Sequence, residues 1–178
     1  LSPVCSTALE IRAQASQLAQ DALVLSGGVE FQDLSPQCSL EALEVRPGMT
    51  VLDYCAGGGG KSLALAARGA QVTAHDANPG RMKDLPTRAA RAGVNVETGI
   101  SPGQSFDMVV CDVPCSGSGA WRRAVDGKWR LPPERLNALL AQQRAIVADA
   151  GKFLRPGGTL AYMTCSLFHI ENNLQAQF

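Results

Sequence analysis

The chain has 178 residues, and its 16 Lys+Arg balance 16 Asp+Glu, so the formal net charge is zero. That balance excludes a broadly basic nucleic-acid coat and leaves room only for a local basic patch. Hydrophobic residues make up 46% and charged residues 18%; such a chain is globular rather than disordered, and buries roughly 70% of its unfolded surface without a metal or disulfide staple.

In chain order, an amphipathic stretch around Leu9–Leu23 leads into VLSGGVEFQD, whose Gly27-Gly28 pair predicts a hairpin. SPQCSLEALEV reads as a short helix that Pro47-Gly48 ends. Residues 1–47 are therefore expected to form a helical or hairpin segment leading into a domain over 48–178. From Met49 the rhythm changes. TVLDYCA reads as a buried strand, KSLALAARG as a helix stopped by Gly69, and QVTAHD as a second strand. GRMKDLPTRAARAG predicts a second helix of the domain, with a kink at Pro86 and a stop at Gly93. VNVET is a weaker third strand and DMVVCD a strong fourth. Pro132-Pro133 opens a long helix, ERLNALLAQQRAIVADAGKFL, in which Leu136, Leu139, Leu140, Ile146, Val147, Phe153 and Leu154 recur near the helical period. RPGG then turns into the fifth strand, TLAYMTCS.

Strands alternating with helices predict an α/β fold with a doubly wound, mostly parallel sheet. Ligands of such sheets lie beyond the carboxyl ends of the strands. Those ends read Asp53-Tyr54-Cys55, His75-Asp76, Asp112-Val113-Pro114-Cys115 and Thr164-Cys165-Ser166. No apolar run reaches the ~20 residues of a membrane span. The first residues, LSPVCSTALEIRAQ, carry no signal-peptide pattern and read as an internal starting point. Six cysteines without a CxxC pair are expected to be reduced thiols in a cytoplasmic protein, and with only two histidines no metal site is expected.

After the first strand comes Cys55-Ala56-Gly57-Gly58-Gly59-Gly60-Lys61-Ser62. Such glycines let the backbone approach a ligand and take positive φ, and the following helix aims its free amides at the same place. A phosphate-binding loop would need a glycine where Cys55 stands, and a GxGxxG dinucleotide turn would need one where Ser62 stands. S-adenosylmethionine carries no phosphate and needs close backbone approach with a carboxylate for its ribose. Asp76, at the end of the second strand, stands where an acid typically accepts from ribose hydroxyls, a feature that nicotinamide folds share. The bland alternative is a tight turn and a solvated strand-end acid.

The Pro-Cys-Ser-Gly turn at Cys115 and the Thr-Cys-Ser end at Cys165 follow two strands expected to be neighbours, so two thiols and Asp112 should face one pocket. A single buried cysteine is usually a core residue, and Cys38 and Cys111 take that reading; Cys5 is read as incidental. Just beyond lie Trp121-Arg122-Arg123 and Lys128-Trp129-Arg130. A cationic loop with aromatics suits phosphate contacts and base stacking, against the alternative of a solvated loop with the tryptophans packed beneath it.

LDYCAGGGGKS, DVPCSGSG, the Lys128-Trp129 pair, the Gln-rich helix, RPGG and YMTCS followed by ENN resemble the RNA cytosine-5 methyltransferases, and more closely their Sun/Fmu-like bacterial ribosomal RNA branch. The FQDLSPQ segment is similar to the family's FQDxSSQ. The resemblance covers roughly residues 28–178. It implies a Rossmann-like class I methyltransferase fold with S-adenosyl-L-methionine as cofactor and RNA, held as a single-stranded or flipped cytosine, as partner. It also implies a monomer without membrane or metal. Cys165 would be the nucleophile and Cys115 would help release the product. Asp112 would contact the base and the cofactor side. Cys55, Ala56, Gly57, Gly58, Gly59, Gly60, Lys61 and Asp76 would hold the cofactor, and Arg122, Arg123, Lys128 and Arg130 the RNA. The sequence departs from the family in three ways: the glycine loop lacks its usual proline, ETGISPG lacks the acid after the third strand, and the last two strands would lie after Phe178. The alternatives are a transfer-RNA methylase, a DNA cytosine methylase in which the Pro-Cys thiol attacks, and an RNA- or nucleotide-binding domain without catalysis. A hydride-transferring dehydrogenase would leave the two cysteines without a use.

Overall fold

A computed structural model describes residues 5, 8–11 and 18–177. Residues 12–17 of the amphipathic stretch lie outside the described residues. The chain divides into two compact units, Leu1–Gly103 and Gln104–Phe178.

In the first unit, α1 (Ala22–Leu25) and α2 (Leu34–Glu41) precede β1 (Thr50–Asp53), α3 (Gly60–Ala67), β2 (Gln71–Ala74), α4 (Leu85–Arg91) and β3 (Val96–Thr98). The hairpin expected at Gly27-Gly28 is absent. Asp21 caps α1 by accepting from the Leu23 amide, and the chain leaves that helix through Gly27 at φ 82°. Gly27 is forced by proximity as well, since a Cβ there would stand 2.0 Å from the Arg91 carbonyl oxygen. β2 lies between β1 and β3, parallel to both, with Val51 opposite Val72 and Val72 opposite Val96. Pro86 sits in the first turn of α4 rather than kinking a longer helix; proline is tolerated there because that amide has no helical partner. A separate 3-10 turn, Pro79–Met82, takes the preceding residues. Leu63, Ala74, Met82, Leu85 and Ala89 form a core cluster, in which a fully buried leucine such as Leu85 contributes about 1.5–3 kcal/mol.

The second unit contains β4 (Phe106–Asp112), α5 (Pro133–Ala150) and β5 (Leu154–Met163). β4 and β5 are parallel, and Asp112 lies opposite Met163, so the two strands end side by side. RPGG is not a turn before the strand. It is an irregularity inside β5, where the register jumps from Phe106↔Leu154 to Met108↔Thr159. Arg155 spans it with a 2.6 Å ion pair to Asp107. Met108, Val109, Val110 and Cys111 are buried on β4, and Leu140, Gln143 and Ala150 on α5.

In each unit the paired strands run parallel and alternate with helices, and the fold is the Rossmann-like α/β fold of the class I methyltransferases. Among the described residues no helix is long and apolar enough to cross a membrane. None of the six cysteines is in a disulfide.

Candidate active site

Two constructions, one in each unit, hold the residues singled out by sequence. The first is the glycine loop. Gly57 and Gly59 adopt φ 54° and 80°, which side-chain-bearing residues rarely take. A Cβ on Gly59 would lie 2.3 Å from a Leu85 methyl, and one on Gly57 would lie 3.0 Å from the Arg81 guanidinium. Gly58 and Gly60 have neither constraint. Only two of the four glycines are therefore demanded by local geometry, and Gly59 serves packing against Leu85. The Ser62 hydroxyl, on α3, donates at 2.6 Å to Asp53, which is fully buried at the end of β1. That bond ties the strand to the helix on either side of the loop.

Asp76 is buried beside it. Its Oδ2 accepts from the Gly57 amide at 2.9 Å and from Arg81 Nη1 at 3.1 Å, and its Oδ1 accepts from the Asn78 amide at 2.9 Å. Cys55, Ala56, Gly60 and Lys61 are half-buried and Gly58 is exposed. Sequence reasoning missed a strut here. Arg88 donates to the Gly58 carbonyl and, at 3.0 Å, to Glu30, which also accepts from Arg91 at 2.7 Å. The three-residue spacing of Arg88 and Arg91, which puts both on one helix face, was the available signal.

The second construction holds the thiols. Because β4 and β5 end in register, the loops after them run together. The Gly119 amide donates to the Cys165 carbonyl at 2.9 Å, and a Cβ on Gly119 would stand 2.5 Å from that oxygen. Cys115 Sγ and Cys165 Sγ are 3.3 Å apart. The two differ in setting: Cys115 is half-buried and Cys165 exposed. Hydrogen bonding to Cys165, and then burial, pushes the Cys115 thiol well above the ordinary cysteine range. Cys115 therefore stays a thiol at neutral pH, and either sulfur can be the donor of the contact between them. Asp112, half-buried, ends β4 three residues before Cys115.

Beneath the thiols lies a polar cluster that the sequence reading did not identify. Glu171 is fully buried. Its Oε1 accepts from the Ser116 amide at 2.8 Å and from Gln143 Nε2 at 3.0 Å, and its Oε2 accepts from the Ser166 hydroxyl at 2.5 Å. Burial pushes the Glu171 carboxyl up, but the hydrogen bonds from Ser116, Ser166 and Gln143 outweigh it and hold its pKa below the ordinary carboxylate value. Gln143 also donates to the Pro114 carbonyl at 3.0 Å. Tyr162 donates to the Glu171 carbonyl at 2.8 Å, and its hydroxyl also lies 3.2 Å from Gln143 Oε1. Burial, then the Glu171 charge, pushes Tyr162 up to about 12, so it remains a donor at neutral pH.

The two tryptophans part company. Trp121 packs edge-on against Phe168 with centroids 5.5 Å apart. Trp129 is 81% exposed, with Lys128 Nζ 4.9 Å from its ring centroid. Arg122, Arg123, Lys128 and Arg130 are all exposed, and Arg130 pairs with Asp126 at 2.8 Å.

A parallel α/β arrangement with a glycine bend after its first strand and an acid just beyond the second is the frame of the Rossmann-like class I methyltransferases, one that nicotinamide-binding folds share. The family model for the 16S rRNA methyltransferase RsmB/F matches residues 40–177, and the chain belongs to that family. Ribosomal RNA small subunit methyltransferase B of an Enterobacter species is 36% identical over 161 residues, which cover 84% of this chain and 37% of that protein. The chain thus spans little more than a third of the length of that relative. Two solved structures from Pyrococcus horikoshii are similar. NSun6, solved with SFG, is 26% identical with a TM-score of 0.78, covering 90% of this chain and 44% of that one. A methyltransferase homologue is 27% identical with a TM-score of 0.77, covering 90% and 53%.

Proposed function

We propose that the chain carries the methyl-transfer site of an S-adenosylmethionine-dependent methyltransferase acting on carbon-5 of cytosine in ribosomal RNA, through a covalent adduct on Cys165. Family membership supports the methyltransferase and ribosomal RNA parts of this reading. The observation that carries the covalent part is the thiol pair: an exposed Cys165 within 3.3 Å of a Cys115 that retains its proton.

The first unit fits the cofactor. A carboxylate has about four acceptor positions, and the Gly57, Asn78 and Arg81 bonds occupy three of them on Asp76, leaving one on Oδ1 for a ribose hydroxyl. The loop from Cys55 to Lys61 supplies backbone groups and no bulk at Gly57. When bound, S-adenosylmethionine supplies an electrophilic sulfonium methyl. Cytosine carbon-5 is a weak nucleophile, and the chain's task is to activate it. The Cys165 thiolate adds to carbon-6. The new C–S bond pushes the ring's double-bond electrons toward carbon-5, which becomes enamine-like. Asp112 is assigned to ring nitrogen-3, where a hydrogen bond assists addition. Once carbon-5 carries the methyl group, its proton must leave and the C–S bond must break. Once Cys165 is bonded to carbon-6 its sulfur no longer raises the Cys115 thiol, so Cys115 gives its proton to solvent and, as thiolate, accepts the carbon-5 proton in that elimination. The electron pair of the C5–H bond reforms the ring double bond, and Cys165 departs as thiolate. A base inside a helix does not present carbon-6 to a thiol, so the substrate cytosine is single-stranded or flipped. Arg122, Arg123, Lys128 and Arg130 are assigned to phosphate contacts, and affinity for RNA should fall as salt rises.

RNA bearing 5-fluorocytosine tests the roles, because its carbon-5 has no proton to remove and the adduct persists. The whole chain should form a denaturation-resistant adduct that Cys165→Ala abolishes and Cys115→Ala retains. The reverse pattern would transfer the attack to Cys115, and no adduct in the unsubstituted protein would overturn the covalent route.

A further inference from the structure

We infer that Glu171 is a positioning residue that holds the two thiols at their working separation by gripping, with one carboxylate oxygen each, the residue that follows each cysteine. Ser116 follows Cys115 and gives its amide to Oε1; Ser166 follows Cys165 and gives its hydroxyl to Oε2. This deepens the proposed function and rests on it for its catalytic consequence, although the clamp itself can be read without RNA.

Three features distinguish a clamp from an ordinary buried acid. First, the bonds fall immediately after both cysteines, one on the Ser116 backbone and one on the Ser166 side chain, so each ties down the residue next to one sulfur. Second, the hydroxyls cross-link the loops at the same level: Ser166 Oγ is 3.2 Å from Ser116 Oγ and 3.1 Å from Ser118 Oγ. Third, the carboxylate is itself held. Gln143 bridges it to the Pro114 carbonyl, on the other side of Cys115, and the Tyr162 hydroxyl bonds the Glu171 backbone. Thr164, just before Cys165, donates at 2.7 Å to Asn172, which also binds the Ser166 carbonyl at 2.9 Å. A buried carboxylate is costly unless its lone pairs are filled, and here the partners that fill them are the two cysteine-bearing loops and their support.

A trivalent phenylarsenical measures the thiol separation directly. Phenylarsine oxide condenses with two thiols, forming two As–S bonds and releasing water, and binds tightly only where two sulfurs are already adjacent. The whole chain should bind it at least about a hundredfold more tightly than Cys115→Ala does, by the effective-molarity argument. Glu171→Ala should lose about tenfold or more of that affinity, and Glu171→Gln, which keeps shape and one acceptor, only about threefold. Ser166→Ala removes one arm alone and should fall between them, so it decides the matter if Glu171→Ala does not fold. A merely structural Glu171 would lower thermal stability and leave the affinity of the folded protein unchanged in all three variants, which would overturn the clamp. In methyl transfer, kcat should fall in Glu171→Ala with KM for RNA unchanged. Loss of arsenical affinity in a protein that methylates no RNA would leave the clamp standing and sink the proposed function instead.

Discussion

The glycine loop and the thiol site solve the same problem with opposite materials. In the first unit, shape comes from the backbone: two positive-φ glycines, a Cβ-sized space filled by Leu85, and amides donating to one aspartate. In the second, shape comes from side chains: a carboxylate, an amide, a phenol and several hydroxyls join the two loops that carry Cys115 and Cys165. A backbone-built site fails when a side chain is added, whereas a side-chain-built site fails when one is removed. Substitutions that exploit this difference give the clearest tests.

The largest effect is expected at Gly59. Alanine there must adopt φ 80° and place its Cβ 2.3 Å from the Leu85 methyl. Together these should cost roughly 2–4 kcal/mol of folding stability, from the left-handed backbone and overpacking. Gly58→Ala, with negative φ and only the Arg88 guanidinium 3.6 Å from its new methyl, should change stability by less than about 0.5 kcal/mol. Urea unfolding of the pair checks this; equal losses would show that the loop is governed by glycine content and not by the two positions.

This contrast also sets what could be read from the sequence. Strand–helix alternation and the glycine run announced the first site, because backbone demands leave glycine and proline as marks in the chain. The run overstated the demand, since four glycines stand where two are required. Cys115 and Cys165 were legible for another reason: strands in a parallel sheet end on one side, so motifs that follow adjacent strands meet. The support beneath them was not legible. Gln143 falls in the apolar stripe of α5, seven residues after Leu136, three after Leu140 and seven before Ala150, and is completely buried. Periodicity alone treats such a glutamine as an interruption. Only the contact with Pro114 and Glu171 shows why a polar residue occupies a core position. Glu171 was equally silent, because a lone acid in ENN has no local spacing that says it is buried. The Gly27-Gly28 hairpin and the Pro86 kink failed because turn residues mark a break without specifying what lies on either side.

Acid should break the side-chain-built site first. The Glu171 pKa is lower in the folded protein than its ordinary 4.5, so the unfolded chain takes up the proton more readily. Its stabilising contribution is fully present above about 4.5 and is lost as pH falls from there through the folded-state value. Glu171→Gln removes this proton linkage. The stability advantage of the unsubstituted protein over Glu171→Gln should therefore be constant between pH 7 and 6 and shrink as pH drops below about 4.5. Denaturant unfolding at stepped pH measures it. Parallel curves for the two proteins would mean that the buried carboxylate is not the ionised clamp drawn here, and would erase the contrast with the backbone-built loop.

The smallest effect is expected where neither material is used. Trp129 is 81% exposed and touches Lys128 through a cation–π contact at 4.9 Å. Trp121 instead packs edge-on against Phe168. Trp129→Ala should alter folding stability by less than about 0.5 kcal/mol, and Trp121→Ala should cost roughly 3 kcal/mol. If Trp129 stacks on a nucleobase, its removal should still weaken binding to single-stranded RNA by about 1–3 kcal/mol, with an unchanged salt slope because no cation is lost. Each of the four exposed cations, by contrast, should reduce that slope when replaced by alanine. A Trp129→Ala protein with native stability and native RNA affinity would remove stacking from the loop and leave its arginines and lysine as the whole of its grip.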